Sequence, residues 1–143
     1  MTYKKRKRGG GRFVQISEMM QATEAWATLK PGPRALYIEL KRRYNGRNNG
    51  QILMSCREAA DLINVHRNTI PGYLAELQAR GFVREVRRGY LGAGGHGIAS
   101  SWLLCELASA DGKAALMTFR TWRGKQEPVT NIVPIRHSRR AGA

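Results

Sequence analysis

Acidic side chains are scarce in this chain, since ten Asp and Glu stand against 25 Lys and Arg and leave a formal net charge of +15. The few acids are scattered singly, so the sequence offers no carboxylate pair of the kind that acid–base catalysis needs. The excess of positive charge favours a polyanionic partner, nucleic acid first and an anionic membrane second. With 143 residues, the chain is long enough for one domain with a modest core.

Long apolar runs are also missing. No stretch approaches the roughly 20 apolar residues of a membrane span, and the basic run near the N-terminus is not followed by the apolar segment of a secretory signal. The chain has two cysteines, Cys56 and Cys105, and we expect both to be reduced thiols in a cytoplasm. The sequence therefore predicts a cytoplasmic protein without membrane association.

The residue patterns of metal and cofactor sites are missing as well. His66, His96 and His137 lie far apart, without partners at zinc-ligand spacing, so no metal site is predicted. A lone histidine in a turn, such as His66, is more often a helix cap than a ligand. The glycine-rich run 92–97 lacks the full dinucleotide-binding pattern and opens no helix. We therefore predict neither a cofactor nor an enzymatic activity.

The most informative stretch runs from Ser55 to Gly81 and predicts two short helices around a turn at 64–66. Ser55 and Glu58 form a capping box at the start of the first helix. Gly81 is the expected left-handed residue after the second helix. Apolar residues recur at helical spacing on both helices. They are Ala59, Ala60, Leu62 and Ile63, then Ile70, Tyr73, Leu74 and Leu77.

Pro71 and Gly72 fall where good helix formers are usual. Proline is harmless only in the first turn of a helix, where its missing N–H has no partner. Regular helix is therefore expected to begin near Asn68 or Thr69. This start leaves Arg67 and Asn68 as candidates for capping or for contacting a phosphate.

The flanking segments predict further short elements. Upstream are a helix within 13–29 capped by Ser17, a helix over 34–44 that Pro33 can start, and a strand over 51–54 after the turn cluster 45–50. Downstream, 82–88 is a strand, 91–97 a glycine-rich tip and 98–107 the returning strand.

This order of elements resembles the winged helix-turn-helix DNA-binding proteins, in which the second helix of the pair lies in the major groove. The segment RALYIELKRRYNGRNNGQILMSCREAADLINVHRNT and the Ser101–Trp102 strand are most similar to small winged-helix proteins of bacterial prophages, plasmids and other mobile elements. The resemblance implies an α+β fold with about four helices and a small three-stranded antiparallel sheet, flanked by basic flexible tails.

Three regions follow from this reading. Residues 1–12 are expected to be a disordered basic arm, and 13–107 the winged-helix DNA-binding domain. Residues 108–143 are expected to be partly docked and then a disordered basic tail. Within them, 114–122 fits a strand or a short docked helix, and Phe119 and Trp122 indicate an anchor on the domain or on a partner subunit.

The resemblance implies sequence-specific binding of double-stranded DNA. Arginine and asparagine can bind base edges bidentately, and threonine suits a phosphate or a thymine methyl group. The expected contacts of the second helix are Arg67, Asn68, Thr69, Tyr73 and Gln78. The expected contacts of the wing are Arg84, Arg87, Arg88 and His96, since arginine is favoured in a narrow minor groove. Further backbone contacts are expected from Arg57, Arg42 and Arg43, and non-specific attraction from Lys4, Lys5, Arg6, Lys7 and Arg8.

Other readings of these features stay open. The Lys41–Arg43 run also fits a solvated basic face, the arm a solubilising tail, and the glycine tip a merely mobile loop. The main functional prediction is a transcription regulator of a mobile element or phage, nucleoid-associated when bound to DNA. The first alternative is a replication-initiation or partner-loading module whose C-terminal segment recruits a protein. A basic RNA-binding protein ranks third, because no stacking sheet is apparent. Homodimerisation is open.

Overall fold

A computed structural model describes residues 11–91 and 97–124, which form an α+β fold. The helices are α1 Glu18–Gln21, α2 Glu24–Ala27, α3 Pro31–Arg42, α4 Cys56–Ile63 and α5 Ile70–Ala79, with 3-10 helices at Arg67–Thr69 and Thr118–Thr121. The strands are β1 Ile52–Met54, β2 Val83–Arg87, β3 Tyr90–Leu91, β4 Gly97–Ile98 and β5 Ser100–Leu104. No helix in these two ranges combines the length and the apolar character needed to cross a bilayer.

The region expected to hold one helix, 13–29, holds two, which is why the described part of the chain has five α-helices instead of about four. Ser17 caps α1 as predicted, with its hydroxyl accepting a hydrogen bond from the Met20 amide at 3.1 Å. Thr23 then interrupts the helix: its hydroxyl donates to the Met20 carbonyl at 2.7 Å and accepts from the Trp26 amide at 3.2 Å. A threonine that bonds backbone groups on both sides ends one helix and caps the next.

The next helix, α3, begins at Pro31 and ends at Arg42, earlier at both ends than the predicted range 34–44. Pro31 and Pro33 both lie in its first turn, where a missing N–H costs no hydrogen bond. The face formed by Leu36, Tyr37 and Leu40 is buried.

The predicted capping box is confirmed at the start of α4. The Ser55 hydroxyl accepts from the Glu58 amide, and the Glu58 carboxylate accepts from the Ser55 amide, each at 3.1 Å. Asn64 adopts a left-handed conformation with φ of 59° and ends the helix. His66 acts as the expected cap, because its Nδ1 accepts from the Asn68 amide at 3.0 Å.

Regular helix α5 begins at Ile70, later than the predicted start near Asn68 or Thr69. Arg67–Thr69 form a 3-10 turn instead. Pro71 explains the delay, since an α-helix starting at Asn68 would place the proline beyond the first turn, where its ring meets a carbonyl of the preceding turn. Gly81 follows the helix with φ of +87°, as predicted.

The sheet has the order β1–β5–β2, and all of its pairs are antiparallel. The predicted small three-stranded antiparallel sheet is therefore confirmed, with the strand near 51–54 at one edge. The central position, Trp102, faces Ile52 on one side and Glu85 on the other. A bulge at Val86 shifts the β2–β5 register between Glu85 and Arg87. Beyond it, β3 and β4 continue the hairpin as a separate pair.

An aromatic cluster around Phe82 forms the centre of the core. Its ring lies 5.5 Å from Trp26 and 6.0 Å from Tyr37 in edge-on contacts, and is stacked on Phe119 at 5.3 Å between ring centroids. Phe119 is fully buried, so the segment after β5 contributes to the same core as α2 and α3. On the outside, the Arg80 guanidinium lies 4.2 Å from the centre of the Trp122 ring.

A buried ionic network attaches the same segment to α3. Glu106 accepts from the Tyr37 hydroxyl and pairs with Lys41 at 2.7 Å, where both charged side chains are less than a tenth exposed. Lys41 also donates to the Gln15 carbonyl at 2.7 Å. Burial, and then the Glu106 carboxylate, raise the pKa of Tyr37 well above its ordinary value, so the hydroxyl keeps its proton.

Asn49 is the main polar group inside the core. It is 1% exposed, and its Oδ1 accepts from the Leu104 amide at 2.6 Å. Its Nδ2 donates to the carbonyls of Leu104, Leu107 and Ala108 at 2.9–3.0 Å. One amide thereby holds the turn before β1 against the end of β5.

We expect Asn49→Ala to lower the free energy of unfolding by about 2–3 kcal/mol, because it leaves a buried amide and several carbonyls without partners. Asn49→Asp should also destabilise, since a carboxylate can accept from Leu104 but is repelled by the carbonyls. Urea unfolding measures both. The control, Asn45→Ala, removes an exposed side chain that accepts from the Arg47 amide and should change stability much less. Equal losses at the two sites would contradict the role of Asn49.

We expect Gly81→Ala to destabilise the chain more than Gly112→Ala. Both glycines have positive φ, +87° and +91°, and that backbone conformation alone costs an alanine about 1–2 kcal/mol. An added Cβ at Gly112 meets nothing, whereas at Gly81 it lies 2.8 Å from backbone atoms of Thr118 and Phe119. Thermal unfolding of the two variants separates the cost of the backbone conformation, which both share, from the cost of the steric clash, which only Gly81→Ala has. Matching losses would mean that the Thr118–Phe119 segment does not pack against the end of α5.

Candidate nucleic-acid interface

One side of α5 packs inward and the other is open to solvent. Ile70, Leu74 and Leu77 are buried. The residues of the opposite side, called here the outer face of α5, are all exposed and are Pro71, Gly72, Ala75, Gln78 and Ala79. At 100° per residue these positions fall within an arc of about 120°, with Ala75 at its centre. Among these residues the sequence analysis predicts only Gln78 as a contact. The helical spacing of Asn68, Gly72, Ala75 and Ala79 is the signal that indicates this side of the helix.

The turn before α5 presents two of the predicted contacts. Arg67 and Asn68 are both exposed, and neither side chain forms a hydrogen bond with the described residues. The His66 cap fixes the backbone of Asn68. Thr69 is half-buried at the junction with α5.

Tyr73, also a predicted contact, is held against the first turn of α3. Its ring is half-buried and packs on Gly32 so closely that a Cβ at Gly32 would lie 2.3–2.6 Å from ring atoms. Contact with an α3 glycine fixes the tilt of α5 on the body. The structure therefore gives Tyr73 a packing role in addition to any contact of its hydroxyl.

The bulge in β2 decides where its arginines lie. Residues three apart on a regular strand point to opposite faces of the sheet. Arg84 faces Leu103 and Arg87 faces Ser101, and since these partners are two residues apart on β5, both arginines lie on the same outer face. Both are exposed.

Of the two remaining predicted contacts in the hairpin, Arg88 and His96, the structure describes only Arg88. Arg88 is exposed and has Glu85 at 3.7 Å, a distance at which the pairing is weak. The predicted contact His96 lies outside the described residues, as do the predicted arm contacts Lys4, Lys5, Arg6, Lys7 and Arg8.

The last turn of α5 touches the base of the hairpin, because the Gln78 side chain accepts from the Glu85 amide at 3.4 Å. Glu85 faces the buried Trp102, so its side chain lies on the inner face of the sheet, opposite to Arg84 and Arg87. At the start of α4, desolvation and then the charge of the Glu85 carboxylate raise the pKa of the Cys56 thiol. Arg57 follows Cys56 and is exposed.

Several cations outside these elements bind groups of the fold. Arg34 donates to the Trp26 carbonyl at 2.8 Å, and Arg80 donates to the Ala25 carbonyl at 2.7 Å and pairs with Glu76. Arg43, a predicted backbone contact, donates to the Leu53 carbonyl at 2.8 Å. Its neighbour Arg42 is largely exposed and pairs with Glu39 at 2.9 Å.

The arginines of α4, of the turn before α5 and of β2 are different. Four of them are exposed and form neither an ion pair nor a side-chain hydrogen bond with any described residue; these four unpaired arginines are Arg57, Arg67, Arg84 and Arg87. An exposed cation that is not paired with a carboxylate is available to an external anion. Two come from the α4–turn–α5 segment and two from β2.

The same segments offer little for metal or thiol chemistry. Desolvation raises the pKa of Cys56, so this cysteine stays a thiol and not a reactive thiolate. Across residues 11–91 and 97–124 no group of three His, Cys, Asp or Glu is placed to hold a metal ion.

Comparison of the chain with protein-family models, with characterised proteins and with solved structures returned no match. The functional argument therefore rests on the geometry and charge of the residues described above.

Proposed function

We propose that this chain is a sequence-specific double-stranded DNA-binding protein of the winged helix-turn-helix type. The observation that carries the proposal is the distribution of its arginines. Arg34, Arg43 and Arg80 bind carbonyls of the chain, whereas the four unpaired arginines come from the α4–turn–α5 segment and from β2, the segments that correspond to the helix-turn-helix and the wing in the resemblance. Phosphate contacts from such arginines supply most of the affinity for DNA.

In this proposal α5 lies in the major groove, whose width of about 12 Å accepts a helix of about 10–12 Å diameter. Asn68 and Gln78 reach base edges, and Arg67 a base edge or a phosphate. Arg57, at the start of α4, neutralises a phosphate. Further contributions, from Thr69, Tyr73, Arg88, His96, Arg42, Arg43 and the arm cations Lys4, Lys5, Arg6, Lys7 and Arg8, follow the sequence prediction.

The hairpin β2–β5 is the wing in this proposal. Because Arg84 and Arg87 share the outer face of the sheet, both can follow one DNA strand beside the groove that α5 occupies. We assign the chain, on its sequence resemblance, to transcription regulators of phages or other mobile elements.

We expect Arg84→Gln and Arg87→Gln each to lower the slope of log affinity against log salt by about 0.9, the value for one phosphate contact on B-DNA. Fluorescence anisotropy with a labelled duplex over a range of salt concentrations measures the slope. The matched control is Arg120→Gln, which removes an exposed arginine of the C-terminal 3-10 helix. Unchanged slopes for the two β2 variants, or an equal drop in the control, would contradict the assignment of the wing.

We expect Asn68→Ala to weaken binding to the preferred site by about 1–3 kcal/mol and binding to random duplex far less, as for a base contact. The fold should be unaffected, because the exposed Asn68 side chain makes no hydrogen bond and the cap from His66 goes to the backbone. Competition binding with specific and random duplexes gives both losses. A similar loss on both duplexes would reject a base-reading role for Asn68.

A further inference from the structure

The residues on the outer face of α5 limit which base pairs this helix can recognise. The inference drawn from them rests on the proposed DNA binding. None of its five residues is charged. Glu76, the one acidic residue of α5, lies to the side and is paired with Arg80 at 2.8 Å. The face that enters the groove is therefore neutral, and the four unpaired arginines belong to other segments, on α4, before α5 and on β2.

Two carboxamides can form hydrogen bonds at the ends of this face. Gln78 belongs to the face and lies in the last turn of α5, and Asn68 precedes it, in the 3-10 turn before α5. A carboxamide pairs bidentately with the N6 and N7 atoms of adenine. The bond from the Glu85 amide to Gln78 is long, 3.4 Å, so the amide group of Gln78 can turn toward a base.

Between the two amides the face is made of small apolar groups. Ala75 is at its centre and Ala79 is one turn further, while Gly72 and Pro71 let the backbone come close to the bases. An alanine methyl in the major groove makes its favourable contact with the 5-methyl group of thymine. Guanine, in contrast, is read most often by a bidentate arginine or lysine, and this face has neither.

We infer that α5 selects A·T base pairs and recognises them by adenine N6/N7 and by thymine methyl groups. Two independent features agree on the same base pair, because the amides favour adenine and the alanines favour its partner. The helix is about 15 Å long, which at about 3.4 Å per base covers roughly four base pairs. Arg67, ahead of the helix, contacts the flank of this site.

The test starts with selection of preferred duplexes from a random library by the full-length chain. The selected site should have about four consecutive A·T pairs at its centre. Each thymine of that site is then replaced by deoxyuridine, which lacks only the methyl group. We expect affinity to fall about fourfold for each methyl group in contact with alanine, the ratio given by ~0.8 kcal/mol per buried carbon group.

Variants of α5 test whether the loss of affinity without the thymine methyl group arises from contacts of this helix. Ala75→Gly should bring the ratio of thymine-duplex to uracil-duplex affinity close to one at the central pair. Ala35→Gly, the same substitution on α3, should leave this ratio unchanged and so controls for loss of helix stability. Replacing one adenine at a time by 7-deazaadenine, which lacks the N7 acceptor, should weaken binding of the unmodified chain, and Gln78→Ala should become insensitive to the replacement at the one adenine that Gln78 contacts.

The outcomes separate the two levels of the argument. Binding to duplexes with equal affinity for thymine and uracil, or a selected centre of G·C pairs, would overturn this inference and leave the proposed function standing. Failure to bind any duplex in dilute buffer would overturn the proposed function and the inference with it.

Discussion

The position of the hairpin relative to α5 depends on the packing around Phe82. This residue follows the left-handed Gly81 and precedes β2, and its ring contacts Trp26, Tyr37 and Phe119. These three rings come from α2, α3 and the segment after β5. Since aromatic groups buried against several elements resist displacement, the angle between α5 and β2 is fixed from the inside. The position of the outer face of α5 relative to the arginines of β2 depends on that angle.

The charge distribution follows from the same construction. A chain with a formal charge of +15 repels itself, and the fold limits this repulsion by binding some cations to carbonyls and carboxylates of its own. Lys41 with Glu106 and Arg80 with Glu76 are examples. Arg57, Arg67, Arg84 and Arg87 are exposed and form no ion pair with the described residues. The carboxylate of Glu85, which follows Arg84 on β2, accepts a hydrogen bond from Ser100 at 2.7 Å.

Local features were predictable because they depend on neighbours in sequence. The capping box at Ser55, the cap at His66 and the left-handed Gly81 each involve groups within a few residues, and all were confirmed. The interruption of the first helix was missed. A threonine such as Thr23 can lie inside a helix or cap a new one, and only the hydrogen bond from the Trp26 amide shows that it is a cap. The start of α5 was placed too early for a similar reason, because a 3-10 turn and a helical turn have nearly the same sequence preferences.

The sequence by itself determined the order of the elements, the excess of positive charge and the neutral small residues of α5, because composition and spacing are properties of the chain alone. Only the tertiary structure decided which arginines donate to carbonyls and which are unpaired among the described residues. The reason is that the partners of Arg43 and Arg80 lie 10 and 55 residues away. It also decided that Arg84 and Arg87 share a face. That outcome depends on a bulge at Val86, and a bulge is set by the pairing of two strands, which neither strand encodes alone.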